Sequence, residues 1–348
     1  MERKLASIQK VQSIEPITNA DAIELARING WQCVVKKGEF EVGDLGVFLE
    51  IDSVPPDDDK FRFLWQRRPK EGEPAPEVVE RPGNFRLRTI KLRGTLSQGL
   101  LLPLGYFDLG EVSEGEDVTE KLGVIKYEPP VNAMLNNSEF RAPFPPLVPK
   151  TDEMRVQSIP EVLDEIRGLP YVATLKYDGS SSTYVLDPFT GDFHACSRNQ
   201  SVLEGNSVYW RIARQYGLEA ILRSNPDYAI QGEICGPGIQ KNHLGLKDLE
   251  LFVFNIYDFK VRRYLTHDEV QAWTGAHGLK AVAEIERGDS FEHSQESLLA
   301  LAEGKYAGTS NEREGIVIRP LAETSSVALA GRLSFKAISN RFLLKESD

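Results

Sequence analysis

The chain has 348 residues, 41% of them hydrophobic and 27% charged, which excludes a disordered or collagen-like protein and fits two globular domains better than one. A net charge of -11 excludes a protein that coats phosphates with its whole surface, while leaving room for a local basic patch. The start MERKLASIQKVQSIEP lacks the apolar core of a signal peptide, and no membrane-length apolar run occurs, so the expected setting is intracellular, cytoplasmic or nuclear, without a membrane partner.

Residues 1–128 read as short strands joined by tight turns. In ELARINGWQCVV the pair Asn29-Gly30 stands between two apolar-rich runs, the strongest short-range hairpin signal, and FEVGDLGVFLEID continues as strand, turn and strand. With FRLRTIKLRG and SQGLLLPL after them, these elements predict a closed barrel of the OB type that binds nucleic acid, interrupted by a Pro-, Glu- and Arg-rich loop from about Pro55 to Pro82. Between Arg81 and Phe107 the chain carries Arg81, Arg86, Arg88, Lys91 and Arg93 and no acidic residue. That stretch reads either as a solvated strand face or as a contact for phosphates.

From Pro129 to Pro149 six prolines fall within 21 residues, a stretch that can neither continue a helix nor join a central strand. It is assigned as a linker, 129–149. In the remainder, 150–348, IPEVLDEIRG and SVYWRIARQYGLEAILRS have helical spacing, and Thr266 with Glu269 forms a capping box ahead of VQAWTGAHG. YVATL, YAIQGEI, LELFVFNIYD, EGIVIRP and RLSFKAI read as strands, so the predicted class is α+β.

Three widely spaced cysteines, Cys33, Cys196 and Cys235, suit buried free thiols and not a disulfide framework or CxxC site. The five histidines, His194, His243, His267, His277 and His293, include no HxxxH pair, so a metal is expected on carboxylates. The absence of GxxxxGK[ST] excludes a P-loop kinase.

The strand-like runs carry charges. Lys176 follows the apolar YVATL and precedes Asp178-Gly179, Glu233 lies in IQGEICG, Glu314 opens EGIVIR and Lys336 lies in SFKAI. A buried ammonium must be paired, neutral or chemically employed. An ion pair of Lys176 with Asp178, at i and i+2 on one strand face, is one reading. The other is a pocket lined by Lys176, Lys336, Asp178, Glu233 and Glu314, with Arg198 as a further cation. That set suits a lysine nucleophile attacking phosphorus, carboxylates holding a divalent metal, and a second lysine neutralising phosphate charge.

KYDG at Lys176–Gly179 resembles the KxDG signature of the covalent nucleotidyltransferase superfamily of DNA ligases, RNA ligases and mRNA capping enzymes. The ordered series Lys176, Arg198, Glu233, LFVFNIYD, EGIVIR and SFKAI is similar to motifs I, Ia, III, IIIa, IV and V of that superfamily. DNA ligases and capping enzymes with this core carry an OB domain after motif V, whereas here only Asn340–Asp348 follow and the barrel lies N-terminal. That layout, with PKTDEMRVQ upstream of the lysine, resembles the fifth family of ATP-dependent RNA ligases. The resemblance implies a C-terminal adenylyltransferase domain of antiparallel sheets with flanking helices. It implies ATP and Mg2+ or Mn2+ as cofactors, and a monomer sealing nicked duplexes with an RNA 3′-OH strand, in RNA repair.

By matching position, Lys176, Lys336, Glu233 and Glu314 would be catalytic, and Asp178, Glu233 and Glu314 would hold the metal. Lys176, Asp178, Gly179, Arg155, Arg198, Glu233, Phe254 and Lys336 would bind the nucleotide, with Phe254, preferred over Phe252, stacking on adenine. Two departures stand out: Ser334 occupies the position of a second motif V lysine, with Arg332 two residues earlier, and Asn255 stands where the family often has Asp. A DNA ligase or guanylyltransferase of the same superfamily, and a catalytically decayed nucleic-acid-binding protein, are the alternatives.

Overall fold

A computed structural model describes residues 3–66, 77–128 and 140–346. Residues 67–76 of the Pro55–Pro82 loop and residues 129–139 of the 129–149 stretch lie outside the described residues. The chain divides into two compact units, Glu2–Pro129 with the residues from Leu343, and Pro130–Phe342. Both are built mainly of sheet with a few short helices, an α+β architecture. Among the described residues no helix is long and apolar enough to cross a membrane.

The N-terminal unit contains two three-stranded antiparallel sheets. Leu45–Leu49 lies between Ala6–Lys10 and Leu100–Pro103, and Ile23–Ile28 lies between Ser13–Pro16 and Trp31–Lys36. The Asn29-Gly30 turn closes the second hairpin as its sequence predicts, with φ of 39° and 72° and Ile28 opposite Trp31. The inward alternation of Trp31, Cys33 and Val35 fills one core with Phe48 and Leu101, while Ile8, Val47, Leu49 and Phe61 fill a second.

The basic stretch is not one strand. Its strand begins at Thr89 and ends at Leu92, and an Arg93-Gly94 turn with positive φ at both residues returns the chain as Thr95–Gln98. Arg86 is turned inward: its guanidinium lies 3.4 Å from Asp52 and stacks 4.8 Å over the Tyr127 ring. Arg81 donates to the Pro55 carbonyl at 2.9 Å. Arg88, Lys91 and Arg93 remain exposed, beside the exposed apolar Ile90 and Leu92.

The C-terminal unit holds, among the described residues, an eight-stranded and a five-stranded sheet. The larger runs in space Phe140–Pro143, Gln200–Val202, Phe193–Cys196, Ser180–Leu186, Tyr228–Cys235, Glu250–Asp258 and Arg263–Tyr264, with Lys280–Ala281 parallel to Glu250–Asp258. The smaller runs Met154–Arg155, Phe335–Ile338, Gly315–Pro320, Tyr171–Lys176 and Glu284–Gly288. The proline-rich segment thus contributes an edge strand, where a missing N–H costs least. The helices Val208–Gln215 and Leu218–Ser224 pack on the larger sheet. Sequence spacing suggested one helix there, but Gly217 at φ 61° breaks it. The Thr266–Glu269 capping box forms with both of its hydrogen bonds. Cys33, Cys196 and Cys235 are buried free thiols, as expected.

Candidate active site

The tetrapeptide KYDG is the crossing between the two sheets. Lys176 ends the Tyr171–Lys176 strand of the smaller sheet, opposite Gly315, and Ser180 begins the next strand in the larger sheet, opposite Ile234. Two glycines make this crossing sterically feasible. A Cβ on Gly179 would lie 2.4 Å from the Ile234 carbonyl oxygen and 2.7 Å from Glu233 Cγ, and one on Gly315 would lie 2.2 Å from the Ala337 carbonyl oxygen. Glycine therefore lets the KYDG backbone lie directly on the Glu233 strand.

The Lys176 ammonium donates to Glu314 Oε2 at 2.8 Å. The ion pair is therefore made across the ladder, not with Asp178 along the chain as the local spacing suggests. Asp178 Oδ2 lies 3.6 Å from His243 Nε2. Glu314 opens the run that the sequence suggested, but the observed strand is Gly315–Pro320, so Glu314 stands one residue before it. Burial alone would lower the Lys176 pKa, but the Glu314 and Glu233 carboxylates outweigh it and hold the lysine above its ordinary value. Burial, reinforced by the carboxylates of Glu314, Asp178 and Glu153, pushes the Glu233 carboxyl up to about 8 despite nearby Lys176. Lys336 is lowered to about 8 by burial and by the neighbouring cations Lys176 and Arg155. Like charges are thus gathered at short range, an arrangement common at functional sites.

On the Lys336 side, Asp152 stands between two cations. Its Oδ1 is 3.7 Å from Lys336 Nζ and its Oδ2 is 2.6 Å from Arg198 Nη2. Arg155 pairs with Lys336 in the parallel ladder of Met154–Arg155 with Phe335–Ile338. Lys176, Lys336, Arg155, Arg198, Asp178, Glu233 and Glu314 are therefore connected through this one region of the unit.

Beside it a buried guanidinium ties three segments together. Arg319 donates to Glu153 Oε1 at 2.9 Å, to Ser334 Oγ at 3.0 Å and to the Phe254 carbonyl at 3.1 Å. Burial would raise the Glu153 carboxyl, but Arg319 and Lys336 outweigh it and hold it at about 2. Ser334 is thus part of an Arg319–Glu153 cluster. Arg332 donates to Asn255 Oδ1 at 2.7 Å, pairs with Glu323 and lies 4.4 Å over the Tyr264 ring. Both departures from the family pattern belong to this supporting network, since Asn255 is the partner of Arg332.

The aromatic residues of LFVFNIYD divide. Phe252 is buried and stacks on Tyr177 at 4.2 Å and 12°, whereas Phe254 in the same apolar cluster is only partly buried. The register shifts at Phe254: consecutive Gln231 and Gly232 lie opposite Asn255 and Val253, which leaves Phe254 as the extra residue of the bulge, while Phe252 pairs with Glu233.

Several residues here carried little sequence signal. Arg319 stands inside EGIVIRP, where a charge in an apolar strand marks it in retrospect. Glu153 and Asp152 lie in KTDEMR. Tyr306 has no sequence signal at all, yet its hydroxyl accepts the Asp178 N–H at 3.0 Å and the Glu314 N–H at 3.2 Å and donates to the Lys176 carbonyl at 3.2 Å.

The acidic side of the site suits a hard dication. Glu233 is a half-buried carboxyl whose charge is opposed by Glu314, Asp178 and Glu153, so a cation there would relieve repulsion, and oxygen donors match Mg2+ or Mn2+. Among the described residues no group of three or more His, Cys, Asp or Glu side chains is gathered closely enough to hold a metal ion by itself. Water or phosphate oxygens would have to supply the remaining positions.

An RNA ligase family model matches residues 169–338, and an OB-fold domain model matches residues 5–104. Among solved structures, a Naegleria gruberi RNA ligase mutant with ATP and Mn is similar at 38% identity, covering 98% of this chain and 99% of that one, with a TM-score of 0.78. A mutant with AMP and Mn gives 37% identity over 99% of each chain and a TM-score of 0.78. The Naegleria gruberi RNA ligase with PPi gives 37% over 100% of each chain and 0.77. No curated protein matches.

Proposed function

The chain belongs to the RNA ligase family, and on that premise we propose that it uses ATP to seal 3′-OH/5′-phosphate nicks in duplexes, through a lysyl-AMP on Lys176. The observation that carries this reading is the placing of Lys176 at the sheet crossing, 2.8 Å from Glu314, with Glu233 close enough to raise its proton affinity and the second lysine, Lys336, close enough to have its own lowered by Lys176. Nζ attacks the α-phosphorus of ATP, a P–N bond forms, and the bond to pyrophosphate breaks. The AMP then passes from Nζ to an oxygen of the 5′-phosphate end. Finally the 3′-OH attacks the 5′ phosphorus and AMP leaves, closing the phosphodiester.

Lys176 must shed a proton before the first step. Lys336, Arg155 and Arg198 supply positive charge on the side of the pocket where the polyphosphate would lie. Phe254, partly buried and fixed through its carbonyl by Arg319, would stack on adenine. Asp178, Glu233 and Glu314 would hold Mg2+ or Mn2+, which supplies positive charge against the phosphate as negative charge develops there. Residues 1–128 would bind the duplex, and the protein would work as an intracellular monomer in RNA repair.

The test is sealing of a nicked duplex whose 3′-OH strand is RNA, against the same nick with a DNA 3′-OH strand and against single-stranded ends. Sealing by the wild type and none by Lys176→Ala is expected. A preference for single-stranded ends would overturn the nick-sealing reading, and activity of the alanine variant would overturn the nucleophile.

A further inference from the structure

Tyr306 lies well outside the KxDG stretch, yet its hydroxyl touches the backbone of Lys176, Asp178 and Glu314. A phenol has one proton to donate and two lone pairs to offer. All three are used: the hydroxyl donates to the Lys176 carbonyl at 3.2 Å and accepts the N–H groups of Asp178 at 3.0 Å and Glu314 at 3.2 Å. These hydrogen bonds fall where the ladder ends. Lys176 opposite Gly315 is the last pair between the two strands; Glu314 is the residue just past it on one strand, and Asp178 lies two residues past it on the other. The phenol oxygen therefore does for both strands what the next rung of the sheet would have done.

The ring that presents this hydroxyl is fixed. Tyr306 is 2% exposed and packs in the apolar cluster with Tyr177, Cys235, Phe252 and Val282. Its loop is held at both ends. The Tyr306 N–H donates to Asn311 O at 3.1 Å, the Asn311 amide donates to the His243 carbonyl at 2.8 Å, and Arg313 Nε donates to the Ala302 carbonyl at the end of helix Gln295–Ala302 at 3.1 Å.

We propose that Tyr306 is a positioning residue for lysine adenylylation, whose hydroxyl sets the spacing between the Lys176–Asp178 backbone and Glu314. The inference rests on the proposed nucleophile. Without the hydroxyl the packing of the ring remains, but the nucleophile and two of the proposed metal-holding carboxylates are no longer held to one point. Misplacement of reacting groups by a fraction of an ångström to 1 Å is enough to cost roughly tenfold to a hundredfold in rate.

The experiment compares full-length Tyr306→Phe with wild type in single-turnover adenylylation by ATP. The expected result is a fall of about tenfold or more in the labelling rate, together with a several-fold rise in the Mn2+ concentration giving half the maximal rate. Tyr184→Phe is the matched control, because it removes a buried hydroxyl that donates, from the larger sheet, to the Tyr209 carbonyl of helix Val208–Gln215 at 3.1 Å. It should lower the melting temperature comparably and leave both adenylylation readouts unchanged. A wild-type rate and Mn2+ dependence in Tyr306→Phe, or the same losses in Tyr184→Phe, would overturn the inference alone, since wild type and Lys176→Ala still report on the nucleophile. Labelling of Lys176→Ala would overturn both. Hydrogen exchange in the wild type gives a second reading that needs no variant to fold: the Asp178 and Glu314 amides, although past the end of the ladder, should exchange as slowly as those within it. Exchange as fast as in an open loop would contradict the proposal.

Discussion

Replacing Lys336 with methionine should make the protein more stable while disabling it. The lysine is 20% exposed, and burial with Lys176 and Arg155 nearby brings it from the usual 10.5 to about 8. A difference of that size corresponds to about 3 kcal/mol of unfavourable free energy for carrying the charge at pH 7. The unfolded chain binds this proton up to about pH 10.5 and the folded chain only up to about 8, so folding stability rises with pH across that window. Methionine keeps most of the volume and removes the charge. Urea denaturation of Lys336→Met should therefore show a gain approaching 3 kcal/mol at pH 7 that shrinks toward zero as the pH nears 10.5, alongside loss of adenylylation. No gain at pH 7, or a gain unchanged at high pH, would refute the idea that Lys336 is held in place at the expense of stability.

Glu153→Gln should act in the opposite sense: a carboxyl held at about 2 stabilises the fold above about pH 5 and loses that contribution as pH falls through about 2, so the variant should lose about 3 kcal/mol at pH 7 and show a flatter acid limb in urea titrations. Phe254→Leu should raise the ATP concentration needed for labelling more than it slows sealing of pre-adenylylated ends, whereas Phe252→Leu, removing the ring stacked on Tyr177, should mainly lower the melting temperature; the reverse pattern would exchange the two roles. Alanine at Arg88, Lys91 and Arg93 together should weaken nick binding with a salt slope shallower by roughly one unit for each phosphate no longer neutralised, while Arg86→Ala, which breaks the Asp52 and Tyr127 interactions, should lower the stability of the N-terminal unit without changing that slope. An unchanged slope in the triple variant would mark the hairpin as a merely solvated face.

Local signals in the sequence marked the elements they govern. Asn29-Gly30 and the Thr266–Glu269 box needed only neighbouring residues to specify a turn and a helix start, and both formed as expected. Charges inside apolar strands pointed to Lys176, Glu233 and Lys336 because a buried charge needs a reason. Partners were harder to read. Lys176 had Asp178 two residues away, but its ion pair goes to Glu314, which the antiparallel register with the Gly315 strand brings alongside. Arg86 alternates with Arg88 in sequence, yet it turns to Asp52 because the strand begins only at Thr89. Tyr306 was invisible for the same reason, since its role depends on three backbone groups that only the folded ladder end gathers.

The central claim is that Lys176 takes AMP from ATP. Incubating the full chain with ATP labelled either at the α- or at the γ-phosphate, in Mn2+ or Mg2+, and then denaturing it and mapping its peptides tests this directly. The account predicts acid-labile label from α-labelled ATP only, on the peptide containing Lys176, and none in Lys176→Ala or in Lys176→Arg, whose guanidinium cannot serve as a nucleophile. Label from γ-labelled ATP, or α-label that survives in either variant, would contradict it.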